Sequence, residues 1–170
     1  CIRDSSDDDL NGPLFYMRVL QDFGTSNISE RQMGHTLLNY VGERHGFFWW
    51  GGYGTSTEET AYWNLLNGIE PPLSGSIEQN GKITAEQIGG QIFSDCWGLL
   101  CPGDPARAAH FAKMMSSVSH DGNGIYGGQF VAAAIASAFT SENVEQIIES
   151  ALSVIPADCE YALMVRDVVT

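Results

Sequence analysis

The sequence predicts an all-α fold, and three observations predict it. Apolar residues recur at 3.6-residue spacing through most of the 170 residues. Nothing alternates with period two for long, and start signals precede the periodic runs. Apolar residues make up 44% and charged residues 17%, which excludes a disordered chain. About seven or eight packed helices follow, in a single domain over residues 1–170.

Taken in order, Leu10, Leu14, Met17 and Leu20 fall on one helical face, and Gly24 stops the run. Ser29 with Gln32 forms a capping box for a helix over Met33, Leu37, Leu38 and Val41. Ser56 with Glu59 repeats the box ahead of Ala61, Trp63, Leu65 and Leu66. Thr84 with Gln87 repeats it ahead of Ile88, Ile92, Phe93, Cys96 and Leu99. Asp104-Pro105 places an N-cap before a proline at the first helical position, and that helix runs to about Val118. Residues 124–139 form a small-residue helix with Gly127, Gly128 and five alanines, which lets neighbours approach closely. Val144–Leu152 is a further helix, ended before Pro156, and Asp158 caps a last one. The extended loops are 46–55 and 68–83.

Charge narrows the function. With 21 acidic and 8 basic residues the net charge is -13, which repels phosphate backbones and argues against nucleic-acid binding. An anionic substrate would need another counter-charge, and a divalent metal is the obvious one. The longest apolar stretch, Phe130 to Phe139, is too short to span a bilayer, and no secretion signal is visible. The four cysteines form no zinc spacing and read as reduced thiols of a cytoplasmic protein. The chain opens without Met and stops inside a helical pattern, so we expect a segment of something longer.

Four places carry candidate chemistry. Ser5-Ser6-Asp7-Asp8-Asp9 either caps the first helix or supplies oxygen ligands to a hard cation such as Mg²⁺. Ser119-His120-Asp121-Gly122-Asn123-Gly124 joins two helices. His120 either donates to a ligand or caps the preceding helix, and the amides opening the next helix could hold an anion. The loop Phe47-Phe48-Trp49-Trp50-Gly51-Gly52-Tyr53-Gly54 offers rings for an adenine or a sugar, although Phe47 and Phe48 suit the core better. Gly89-Gly90 inside a predicted helix costs roughly 1 kcal/mol per Gly relative to Ala, which suggests close approach by a backbone or a ligand. Asp95 shares a helical face with Ile88, Ile92 and Leu99, so partial burial is expected.

The order of these features resembles the ADP-ribosylglycohydrolase (DraG-like) family, in particular its larger bacterial members. The resemblance is densest over residues 46–60, 75–104 and 118–139. It implies a compact orthogonal multi-helix bundle, here incomplete, with the chain as the central part of a catalytic domain whose flanking segments are missing. The family's Thr-Asp-Asp metal motif falls on Ser6-Asp7-Asp8, followed by Asp9. Its Gly-rich substrate loop falls near Gly89-Gly90, and its Thr-His on Ser119-His120. The family's opening Gly-Asp-rich helix and closing Asp-x-Asp-Thr motif are absent from the sequence.

The resemblance implies hydrolysis at the ribose C1 of ADP-ribosylated substrates or a related nucleoside, with two Mg²⁺ ions, or Mn²⁺ in their place. Ser6, Asp7, Asp8 and Asp9 are then the metal ligands, and Asp8 is also the catalytic carboxylate. Gly89, Gly90, His120, Gly122 and Tyr126 are the substrate-side residues. Partners would be an ADP-ribose-type small molecule or an ADP-ribosylated protein, in the cytoplasm. Two alternatives compete. One is a non-catalytic structural or ligand-binding member of the same fold, crystallin-like or a truncated remnant. The other uses Cys1 as an N-terminal nucleophile, which the helical pattern opposes.

Overall fold

The computed structural model describes residues 8–24, 28–45 and 48–169. Its regular structure among these residues is entirely helical. The helices are α1 (Asp8–Tyr16), α2 (Arg18–Phe23), α3 (Glu30–Tyr40), α4 (Thr57–Leu66), α5 (Ile77–Asn80), α6 (Lys82–Ala85), α7 (Gly89–Ile92), α8 (Asp95–Leu100), α9 (Pro105–Ser116), α10 (Asn123–Ala138), α11 (Val144–Leu152) and α12 (Glu160–Val169). A 3-10 turn lies at Leu73–Gly75. This exceeds the expected number because the 68–83 loop carries short helices and two predicted helices are split.

The first helical run is real, but its inner face is not the expected one. Leu10 is 69% and Leu14 61% exposed, whereas Phe15, Tyr16 and Val19 are buried. The side facing the core carries Gly12, where a Cβ would come within 2.4 Å of the Phe93 ring. The missing side chain lets α1 lie against Phe93, beside α7. Pro13 lies inside α1 and has no N–H to donate, and α1 gives way to α2 at Met17.

Caps determined by neighbouring residues form as expected. Ser29 Oγ accepts the Gln32 amide at 3.3 Å, and Gln32 Oε1 accepts the Ser29 amide at 2.9 Å. Asp104 Oδ1 accepts the Arg107 amide at 3.0 Å and opens α9. At α12 it is Cys159 Sγ that accepts the Ala162 amide at 3.4 Å, in place of the expected Asp158.

The helix expected from Thr84 onward is three pieces. Thr84 Oγ1 donates to the Gly54 carbonyl at 3.0 Å and Gln87 Nε2 to the Thr55 carbonyl at 2.7 Å. Both side chains tie this stretch to the loop before α4 instead of to a helix end. Asp95 is exposed together with Ile88 and Leu99, so the face expected to be partly buried looks outward.

Helix α10 lies at the centre, packed by α7, α8, α9, α11 and α12. Its Ala132, Ala133 and Ala136 are fully buried. A Cβ on Gly128 would stand 2.4 Å from the Gly90 carbonyl oxygen and 2.7 Å from Ser94 Oγ. Around this contact the core gathers Tyr16, Val19, Met33, Leu37, Phe93, Trp97, Met115 and Val118, each burial worth about 1.5–3 kcal/mol for a large apolar side chain. Cys96 and Cys101 are buried and free, and burial pushes the Cys96 thiol up to about 12. Among the described residues no helix is long and apolar enough to cross a membrane.

Gly128→Ala is expected to destabilise the protein by about 1–3 kcal/mol, because the methyl must displace backbone. Urea unfolding at neutral pH measures this, and an unchanged midpoint would refute the close packing of α7 on α10.

Candidate functional site

Asp8, at the start of α1, Thr57 and Glu58, in the first turn of α4, and Gly89, opening α7, line one cavity of about 210 Å³. Trp49 and Ile92 complete much of its wall. Gly12 brings α1 to this place. Ser56 fixes α4: its Oγ accepts the Glu59 amide at 3.1 Å and lies beside the Trp49 carbonyl and 3.0 Å from Glu58 Oε2. Glu59 does not return the capping bond. It accepts the Gly52 amide at 2.7 Å and bonds the Trp63 indole, tying the preceding loop to α4.

Glu58 is an acid in an unusual setting. It is 7% exposed. Burial pushes its carboxyl above the usual range, its own backbone amide and the Thr57 and Ser56 hydroxyls oppose this in part, and the Asp8 charge adds to it. Thr57 is 1% exposed, and its hydroxyl adjoins that carboxylate without a hydrogen bond of acceptable geometry to any group. Tyr16 senses the charge of the same carboxylate. Burial and the Glu58 charge raise its phenol, with the Ser119 hydroxyl acting the other way.

His120 is part of the frame. It is 1% exposed, and burial lowers its pKa from 6.5 to about 3, so it is neutral. Nε2 accepts the Gly90 amide at 3.1 Å, which places the ring proton on Nδ1, 2.8 Å from Ser119 Oγ. Both nitrogens are engaged inside the protein, which corrects the expectation that His120 donates to a ligand. Gly90 is likewise a packing residue. Its carbonyl accepts from Ser94 Oγ at 2.7 Å and Ser116 Oγ at 3.1 Å, and a Cβ would meet the Gly124 carbonyl at 2.3 Å.

Two further substrate-side expectations lie elsewhere. Gly122 has φ 52°, and a side chain there would run into Glu86 Oε1. That carboxylate accepts the Asn123 amide at 2.9 Å, so the N-terminus of α10 already holds an anion of the protein's own. Tyr126 packs with Leu152, Ile155 and Ala162 near α12. Of the metal-motif residues, Asp8 reaches the cavity. Asp9 lines an adjoining cleft of about 310 Å³ with Gln91 and Asp95, and Ser6 and Asp7 lie outside the described residues. Among the described residues no three His, Cys, Asp or Glu side chains gather as a metal cluster.

The aromatic loop divides. Phe48 is core, against Phe15 and Phe93, while Trp49 is 53% exposed on the cavity wall. Tyr53 belongs to a separate cleft of about 460 Å³ with Trp63, Asn64 and Asn67. The Asn64 amide there is spent on the Ser74 carbonyl, Asn80 Oδ1 and the Tyr53 hydroxyl, and no carboxylate is among the described residues lining that cleft. Thr57 and Glu58 are the site residues that sequence reasoning missed. The available signal was a Glu-Glu pair opening a helix straight after a Gly-rich aromatic loop. That pattern reads equally as a charge favoured by the helix macrodipole.

The family model described as ADP-ribosylglycohydrolase matches residues 5–170. No curated protein and no solved structure matches the chain.

The His120 bond has a pH signature. Its folded pKa, about 3, lies below the ordinary 6.5, so the unfolded chain takes up the proton first on acidification. The stability from neutral His120 is complete above the ordinary value and is lost as pH falls towards the folded one, with a slope of at most about 1.4 kcal/mol per pH unit. Urea unfolding between neutral pH and pH ~4 should show this slope reduced in His120→Gln. Parallel profiles for the two proteins would contradict a neutral buried imidazole.

Proposed function

The chain belongs to the ADP-ribosylglycohydrolase family, and from that premise we propose that it is a metal-dependent hydrolase cleaving the glycosidic bond at the ribose C1 of ADP-ribosylated substrates. Membership implies glycohydrolase activity on ADP-ribose substrates. The observation that supports metal dependence is the cavity itself. Two carboxylates, Asp8 and Glu58, line it, and among the described residues no Lys or Arg does. A negatively charged substrate enters such a space only with a cation.

The donor chemistry fits the group. Asp8 offers a hard oxygen donor beside a space large enough for an ion with water, and by the family resemblance the Ser6, Asp7 and Asp9 oxygens would join it. Mg²⁺, two ions by the family resemblance and replaceable by Mn²⁺, would supply Lewis acidity when bound. The chain's own residues do the remaining work. Asp8 orients the ribose side of the substrate and takes the proton of the attacking water. Net hydrolysis places hydroxyl on C1, breaks the bond from C1 to the acceptor, and returns a proton to the acceptor. Gly89 leaves room for the sugar, since a Cβ there would come within 2.5 Å of Glu58 Oε1. The exposed Trp49 face suits stacking on the base. An ADP-ribose-type small molecule or an ADP-ribosylated protein in the cytoplasm is the proposed partner.

Release of ADP-ribose from ADP-ribosylated protein, followed by chromatography with and without Mg²⁺, tests this. Asp8→Asn is expected to lower the rate about 100-fold or more, with the melting temperature in EDTA little changed. Turnover in the variant equal to the unaltered chain would reject the reading. Gly89→Ala is expected to lower the rate about tenfold or more by filling the cavity. An unimpaired rate would place the sugar elsewhere.

A further inference from the structure

We infer that Glu58 and the Thr57 hydroxyl form a second wall of the cation site, gripping a divalent ion that Asp8 also holds. This rests on the reading of the chain as a metal-dependent hydrolase and adds two ligands that its aspartate motif does not supply. Three observations carry it. First, Glu58 is buried in the same cavity wall as Asp8, and the Glu58 carboxylate reaches Gly89 through Oε1. Two carboxylates sharing a small space, with no basic side chain among the described residues that line it, need a counter-charge. Second, the buried Thr57 lines that cavity, and its Oγ1, beside the Glu58 carboxylate, makes no well-formed hydrogen bond to any of the described residues. Buried hydroxyls are normally satisfied, and a cation or its water would satisfy this one. Third, carboxylates with a hydroxyl are the oxygen donors that Mg²⁺ and Mn²⁺ select.

The rival account is that Glu58 simply carries a proton. Glu58→Gln separates the two, since the amide mimics the protonated acid but removes an anionic ligand. Mn²⁺ affinity of the 170-residue chain is measured by electron paramagnetic resonance of the free ion, with circular dichroism melts in EDTA as the folding control. Asp8→Asn and Glu58→Gln are each expected to weaken Mn²⁺ about tenfold or more, and Thr57→Val, which keeps the shape, a few-fold. If Glu58→Gln binds Mn²⁺ like the unaltered chain while Asp8→Asn does not, the inference falls and the proposed function stands. If the unaltered chain neither binds Mn²⁺ at millimolar concentration nor melts higher with it, both fall. Should Glu58→Gln fail to fold, Glu58→Asp and Thr57→Val decide instead, and unchanged affinity in both overturns the inference.

Discussion

His120 is held neutral in the interior, and its Nε2 accepts the amide of Gly90, the second residue of α7. The site depends on this bond. A protonated imidazole has no lone pair to offer, so the same burial that keeps the ring neutral keeps α7 in place. Ser119 sets the tautomer from the other nitrogen. The Ser119-His120 backbone is itself held by Gly75, whose Cβ would lie 2.5 Å from the His120 nitrogen, and by Ser74 Oγ donating to the Val118 carbonyl at 2.7 Å. Asp121 Oδ2 accepts the Ile77 amide at 3.0 Å and closes the same corner. A short helix of four residues could not hold its position alone.

Absent side chains are the second determinant. Gly12 admits the Phe93 ring, Gly90 admits the Gly124 carbonyl, and Gly128 admits the Gly90 carbonyl with its two serine donors. These contacts stack α1, α7 and α10 at distances that any Cβ would forbid. Gly89 stands at the end of this stack with no backbone pressed against it. The nearest groups a side chain would meet are the Glu58 carboxylate and the His120 ring. The space left over is the cavity, so the packing of the interior and the shape of the site have one origin.

Local signals were legible in the sequence and distant ones were not. The Ser29 box, the Asp104-Pro105 start and α11 are decided within one helical turn, and they formed where the residues placed them. The inner face of α1 was misread because Leu10 and Leu14 share a spacing with Phe15 and Val19, and only the partner surface chooses between the two stripes. Asp95 was misread for the same reason. Family motifs pointed to Asp8 and Gly89, and both line one cavity. They did not separate Gly89, which borders it, from Gly90, which supports it, since both are glycines in one run. His120 shows the limit most clearly. A Ser-His pair in a loop between helices serves a ligand or the core equally well on paper, and only complete burial with both nitrogens bonded tells which.

The charge pattern joins these threads. The N-terminus of α10 is the obvious anion seat near this corner, and Glu86 fills it, bonding both the backbone amide and the side-chain amide of Asn123. Lys82 is drawn to Glu86 and Glu160. The basic side chain and helix end of this region are therefore committed within the protein. A diphosphate would meet Asp8 and Glu58, with no lysine or arginine among the described residues of that cavity wall to offset them. In a chain of net charge -13, bulk electrostatics gives no help either, because screening confines such fields to about 10 Å. On the proposed function, an anionic nucleotide at this cavity would need a positive ion seated among the oxygens themselves. On that reading, the acidity that opposes the substrate would be what collects the ion that admits it.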